Sequence, residues 1–143
     1  MIEKPPKNKI EILLDDNTRL VLERAREIAG EHGQRYIGTE HLLLGLIPEL
    51  DKIVGLNRPD LPESIKLILD LILMKGSTVI NSQKPIQEIL TQRAKKAILQ
   101  AIEFARVEGV NEITPRHLLR SLIHQQDCYA AGVLKVLNVT ISA

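Results

Sequence analysis

The stretch TRLVLERAREIAGEHGQRYIGTEHLLLGLI, Thr18–Ile47, decides the fold because the chain carries a second, diverged copy of it. Its first half has apolar residues at three- and four-residue spacing, which predicts a helix over Asn17–Gly33, with Gly33 ending it in a left-handed conformation. The second half predicts a shorter helix over Thr39–Leu46, closed by Pro48. Three residues just before the first helix are candidates for its cap: Asp15, Asp16 and Asn17.

The second copy appears when the chain is shifted by 76 positions against itself. The residues that then coincide lie mostly where each helix would bury a face, which is more than a shared helical bias produces. The shift superposes Ala25 on Ala101, Glu27 on Glu103, Ala29 on Ala105, Gly33 on Gly109, Ile37 on Ile113, His41-Leu42-Leu43 on His117-Leu118-Leu119, and Leu46-Ile47 on Leu122-Ile123. A tandem repeat with an internal pseudo-twofold relation follows, in which each unit covers the apolar face of the other.

The pattern predicts an all-α chain of two pseudo-symmetric helical repeats. Residues 1–14 are predicted to form a flexible N-terminal arm and residues 15–143 one domain, with repeat one over about 15–75, a linker over about 76–90 and repeat two over about 91–139. In repeat two, Thr114 followed by Pro115 is a sound helix start, and the shift places Gly38 at the equivalent cap. Thr39 and Glu40 then fall in the first turn, where the helix dipole favours a negative charge.

Composition excludes several classes of function. Nineteen basic and eighteen acidic residues give a net charge of +1, and aromatic residues make up only 2%, so neither a basic footprint nor stacking platforms for nucleic acid are expected. No apolar run approaches the roughly 18 residues that span a membrane. Cys128 is the one cysteine, which suits a reducing compartment. Because the start of the chain has no apolar signal core, we expect a bacterial cytoplasmic location.

The repeated segments resemble the amino-terminal domain of Clp-type AAA+ chaperones. In that family a long helix with a glycine-bearing turn leads into an [I/V]-G-T-E-H-[I/L]-L-L-G-L box, matched here by IGTEHLLLGL, and AAGVLKVLNV resembles the third helix of the family's second repeat. The resemblance covers roughly 15–139. Three departures stand out: the chain has no G-x(4)-G-K-[S/T] phosphate loop, the third helix of repeat one is shortened, and repeat two stops before its last helix.

The resemblance also implies a candidate binding site. In the family, the glutamate of the G-T-E-H box is associated with capture of phosphorylated arginine, which points here to Gly38, Thr39 and Glu40. A carboxylate can grip a guanidinium, while helix-terminal N–H groups favour a phosphate. Repeat two keeps Thr114 but has Arg116 in place of the glutamate, which would repel a guanidinium. The alternative is that Glu40 only complements the helix dipole.

Catalysis and metal binding are not expected, and no cofactor is implied. Glu40 and His41 are adjacent helical residues that point about 100 degrees apart, so they do not form an acid–base pair. His41 and His117 occupy equivalent positions near two helix starts, which favours a structural role for both, as for Gly33 and Gly109. We therefore expect a protein-interaction module, an accessory or adaptor that contacts Clp ATPase or protease subunits or their substrates. The alternatives are a phosphoarginine reader and a fragment of a full Clp ATPase.

Overall fold

The structure, a computed structural model, describes residues 13–73 and 84–141. These residues form six α-helices: α1 Asp16–Glu31, α2 Thr39–Leu46, α3 Leu61–Ile72, α4 Gln92–Val107, α5 Pro115–His124 and α6 Tyr129–Val136. Two 3-10 helices, Ile47–Lys52 and Ile86–Glu88, precede α3 and α4. Within the described part no strand is present beyond two isolated bridges. The predicted all-α class and the predicted helix α2 are confirmed.

The long helices of the two repeats begin and end in the same way. The Asp15 carboxylate accepts from the N–H of Thr18 at 2.8 Å to cap α1, and the equivalent Thr91 hydroxyl accepts from Ala94 at 3.1 Å to cap α4. At the other ends Gly33 and Gly109 have φ angles of 70° and 79°, in the left-handed region that glycine adopts without strain. The N–H of the residue after each glycine returns to Ala29 and Ala105 respectively. Both long helices thus end in the same left-handed turn.

Short backbone bridges tie the repeats to each other crosswise. Ile37 N donates to Ile89 O at 2.7 Å, and Ile113 N donates to Leu13 O at 2.7 Å, exactly one repeat shift apart in both partners. The segment that leads into each short helix thus pairs with the segment that leads into the long helix of the other repeat. Because each repeat completes the backbone bonding of the other, the pseudo-twofold relation is built into the hydrogen bonds as well as into the sequence.

The core is aliphatic, as the low aromatic content requires, and the short helices lie close against the long ones. At Gly45 on α2, a Cβ atom would lie 2.5 Å from the carbonyl oxygen of Val21 on α1, so only glycine fits there. The equivalent residue in repeat two is Ser121, whose buried hydroxyl donates to the carbonyl of Ala97 on α4. The close contact between the short and the long helix is therefore made possible by the absent side chain of Gly45 in repeat one, and it is bridged by the hydrogen bond of Ser121 in repeat two.

The repeats differ in their later elements. Repeat one has the 3-10 helix Ile47–Lys52 where repeat two has α6, which confirms the shortened third helix. Both elements lead into an asparagine with positive φ, Asn57 at 47° and Asn138 at 54°. Among the described residues up to 141, no helix follows α6, so α3 has no counterpart there.

Parts of the predicted arm and linker, residues 1–12 and 74–83, lie outside the described residues, as do 142 and 143. At the described edges of these segments the chain is packed: Leu14 is buried, and so are Ile86, Ile89 and Leu90 within the predicted linker. No described helix combines the length and apolarity needed to cross a bilayer.

Candidate functional site

A groove of about 900 Å³ lies between α3 and α6, and both repeats contribute to it. Ile68 and Ile72 of α3 form one wall, and α6 forms the other. The beginnings of three helices, α2, α4 and α6, line the rest. The lining residues are Gly38, Thr39, Glu40, Ile68, Ile72, Thr91, Gln92, Arg93, Asp127, Cys128, Tyr129, Gly132, Val133 and Val136.

The groove is mainly apolar, and its rim exposes large side chains. Ile72 is 44% exposed, Tyr129 56% and Val136 73%. Cys128 lies half-buried at the start of α6, where its Sγ accepts from the N–H of Ala131 at 3.4 Å. The sequence predictions missed these rim residues. Their signal was present, because α6 and α3 each carry apolar residues on more faces than one core contact needs.

The three candidate residues of repeat one all line this groove. Thr39 is buried, and its hydroxyl accepts from the N–H of Ala130 on α6 at 3.5 Å, a contact between the repeats. The Glu40 carboxylate folds back over Gly38: a Cβ atom there would lie 1.8 Å from its Oε1. Glycine at this cap therefore makes room for the carboxylate. Glu40 is 13% exposed, and this burial raises its pKa, although the N–H groups of Glu40 and His41 act in the opposite direction.

The two candidates of repeat two lie elsewhere. The Thr114 hydroxyl accepts from the N–H of His117 at 3.4 Å and caps α5, as predicted. Arg116 donates from Nε to the carbonyl of Val54, in the loop after the 3-10 helix of repeat one, at 3.4 Å. Neither residue lines the groove, so the five candidate residues do not form one site.

His41 and His117 hold the starts of their helices. The Nδ1 of His41 accepts from the N–H of Gly38 at 2.9 Å, and that of His117 accepts from the N–H of Thr114 at 3.0 Å. Each imidazole thereby satisfies a backbone donor that the helix itself leaves unpaired. The two imidazoles thus make the same backbone contact at equivalent helix starts.

The other ring nitrogens of the two histidines differ. Because Nδ1 accepts, Nε2 carries the proton in the neutral ring. His117 Nε2 donates to Glu108 at 3.1 Å, and this bond is the main reason why the pKa of Glu108 is lowered. His41 Nε2 is buried without a partner among the described residues, because His32 stands where repeat two has Glu108. Burial, and then the charge of His32, lower the pKa of His41 to about 4.

At neutral pH His41 is therefore uncharged, and its 3.9 Å separation from Glu40 is not an ion pair. Among residues 13–73 and 84–141, no three histidine, cysteine or acidic side chains come together as metal ligands would. What the arrangement offers is a shaped apolar surface with a few polar groups at its floor and one end.

Comparison with known proteins agrees with this architecture. The family model of the Clp repeat (R) N-terminal domain matches residues 10–56 and 89–143. The ATP-dependent Clp protease ATP-binding subunit ClpA homolog of Porphyra purpurea is 32% identical over 126 residues, which cover 86% of this chain and 15% of that protein. The chloroplastic chaperone protein ClpC1 of Oryza sativa subsp. japonica is 33% identical over 125 residues, which cover 82% of this chain and 13% of that protein. The chain thus spans only a small part of these relatives.

Solved structures show the same fold. The N-terminal domain of the caseinolytic protease associated chaperone ClpD from Arabidopsis thaliana superposes with a TM-score of 0.65 at 19% identity, covering 95% of this chain and 91% of that one. The N-terminal domain of the ClpV1 ATPase from E. coli gives a TM-score of 0.60 at 22% identity, covering 90% and 78%. Since the family model matches more than half of the residues, the chain belongs to the Clp repeat N-terminal domain family.

Proposed function

We propose that the chain is a protein-recognition module of a Clp chaperone–protease system, and that it holds a segment of another protein in the groove between α3 and α6. The partner is a substrate or a subunit of the Clp ATPase or protease. The observation that carries this proposal is the apolar groove itself, with Ile72, Tyr129 and Val136 exposed along its rim. Exposed apolar side chains grouped around a concave surface are typical of interaction sites.

The role as an accessory or adaptor is part of the proposal. It is supported by relatives named as an ATP-binding subunit of Clp protease and as a Clp chaperone, of which this chain matches 15% or less. A bacterial cytoplasmic location stays a prediction, and several of the relatives are named as chloroplastic.

Affinity capture of the tagged chain from its native cells, followed by mass spectrometry, tests the proposal. We expect a Clp ATPase or protease subunit, or a defined set of substrates, to be recovered. Val136→Asp should abolish recovery because it places a charge at the groove rim. Val107→Asp is the matched control, since Val107 is also the last residue of a helix and is 79% exposed, but lies outside the groove. Recovery of the same proteins by the original chain and by both variants would contradict the proposal.

A second candidate function is the recognition of phosphorylated arginine. It is supported by one observation: Gly38, Thr39 and Glu40, which form the start of α2, all line the groove. The carboxylate of Glu40 lies over Gly38 and must turn outward before it can grip a guanidinium while the helix start receives the phosphate. Titration with free phosphoarginine should shift the amide signals of these three residues, and Glu40→Gln should weaken the response. Unchanged amide signals at saturating ligand would rule this function out.

A further inference from the structure

The apolar groove continues at its α4 end into a smaller hollow of about 320 Å³. Arg93, Asp127 and Cys128 line both cavities, so the two form one surface. The smaller hollow adds Lys96 and His124. A segment lying in the groove would therefore meet a basic region as it leaves past α4.

The charge of Arg93 is not neutralised by its neighbours. Most arginines of the described part pair with a carboxylate within 4 Å: Arg19, Arg24, Arg26, Arg58, Arg106 and Arg120. Within residues 13–73 and 84–141, Arg93 and Lys96 form no such pair, although Asp127 lines the same hollow. The hollow thus presents two unpaired cations and one carboxylate.

The remaining carboxylate of the groove does not reverse this balance. Glu40 is turned back over Gly38, facing the N–H groups of its own helix start. At the beginning of α4 the Thr91 hydroxyl takes up the N–H of Ala94, but the N–H groups of Gln92 and Arg93 have no acceptor within the helix, and the positive end of its dipole adds to the field of Arg93. Charge complementarity at this end therefore favours an anionic group.

We propose that the segment held by the groove is apolar along α3 and α6 and carries one or more carboxylates at the end that reaches Arg93 and Lys96. This inference rests on the proposed function of the groove and adds the chemistry of its occupant. Apolar contacts would supply most of the affinity, and the two cations would set the direction in which the segment lies.

Fluorescence anisotropy with three labelled peptides of about twelve residues tests the inference. All three carry leucines at helical spacing, and they differ only in the last turn, which holds glutamates, glutamines or lysines. We expect the glutamate peptide to bind most tightly and the lysine peptide most weakly. The preference should shrink at high salt, because these charges are exposed.

Two double variants identify the residues responsible. Arg93→Gln with Lys96→Gln should weaken binding of the glutamate peptide by about two- to thirtyfold, the range for two exposed ion pairs, and leave binding of the glutamine peptide unchanged. Arg35→Gln with Lys95→Gln removes the same charge outside both cavities and should change neither. Val136→Asp should weaken all three peptides.

The outcomes separate the two proposals. Equal binding of the three peptides, still lost in Val136→Asp, overturns the acidic occupant and retains the groove. A preference for the lysine peptide also overturns the acidic occupant. Binding that Val136→Asp does not weaken overturns the groove itself, and the acidic occupant with it.

Discussion

Replacing His32 by glutamate would give repeat one the pair that repeat two already has. In repeat two, Glu108 accepts from His117 at 3.1 Å, whereas the equivalent Nε2 of His41 is buried without a described partner. Leaving a buried donor unpaired costs about 1–3 kcal/mol. A negative charge at the end of α1 opposes the helix dipole by about 0.3–1 kcal/mol. Near neutral pH we therefore expect His32→Glu to raise the free energy of unfolding by roughly 1 kcal/mol.

The gain in the free energy of unfolding from His32→Glu should grow as the pH falls. The pKa of His41 is about 4 instead of 6.5, so the unfolded chain takes up a proton that the folded chain excludes. Stability is thus present above pH 6.5 and is lost as the pH falls toward 4, by about 3 kcal/mol for the whole shift. A carboxylate at position 32 would raise the pKa of His41, because it stabilises the imidazolium. The variant should therefore lose less stability in this pH range.

Urea unfolding followed by far-ultraviolet circular dichroism, at about pH 7 and about pH 5, measures both effects, and NMR titration of the imidazole reports the pKa of His41 directly. His32→Gln is the control for charge: it removes the charge of His32, which helps to lower the pKa of His41, but adds no carboxylate, so its gain at acid pH should be smaller than that of His32→Glu. Glu108→His transfers the arrangement of repeat one to repeat two and should destabilise the chain. If His32→Glu is no more stable than the original chain at about pH 5, the reasoning about His41 is refuted.

Further substitutions test the packing of the helices. Gly45→Ala should destabilise the fold by several kcal/mol, because the new Cβ would lie 2.5 Å from a backbone carbonyl oxygen. Gly132→Ala, whose Cβ would have no atom within 4 Å, should stabilise α6 by about 0.5–1 kcal/mol. Thermal unfolding of the two variants measures both effects. Gly109→Ala should cost about 1–2 kcal/mol in urea unfolding, since its φ of 79° strains any side chain. Arg24→Met should cost about 1–3 kcal/mol, because the buried Glu49 loses its partner at 3.2 Å and keeps only Lys52 at 3.8 Å, and Glu49→Gln in the same chain should recover part of that loss.

The sequence predicted those parts of the fold that depend on local chemistry. Helix α2, the caps at Gly38 and Thr114 and the left-handed turns at Gly33 and Gly109 follow from residue type and spacing, and the structure has them in place. The shift by 76 residues also predicted which positions are equivalent. It did not predict that the bridges cross between repeats, because equivalence in sequence does not say which copy a segment pairs with.

The candidate site was predicted only in part, for a related reason. Gly38, Thr39 and Glu40 were found through a motif, whereas the groove walls on α3 and α6 come from different repeats and share no motif. In the sequence, Arg93 is one of several charged residues in the segment of a long helix. Only the three-dimensional arrangement shows that most other arginines are paired and that this one faces a groove.

Within the described residues, the divergence of the third elements gives the starts of α2 and α5 different neighbours. Thr39 at the start of α2 accepts from Ala130 of the complete helix α6, whereas Arg116 at the start of α5 contacts the loop that follows a 3-10 helix. In that second place, Arg116 donates to the carbonyl of Val54, so the side chain that replaces Glu40 is used in packing. Arg116→Glu would therefore place a carboxylate at the position equivalent to Glu40 without adding a helix equivalent to α6 beside it. We expect one bound segment per chain in calorimetric titration, before and after Arg116→Glu, because the length of the third element determines where a groove can form.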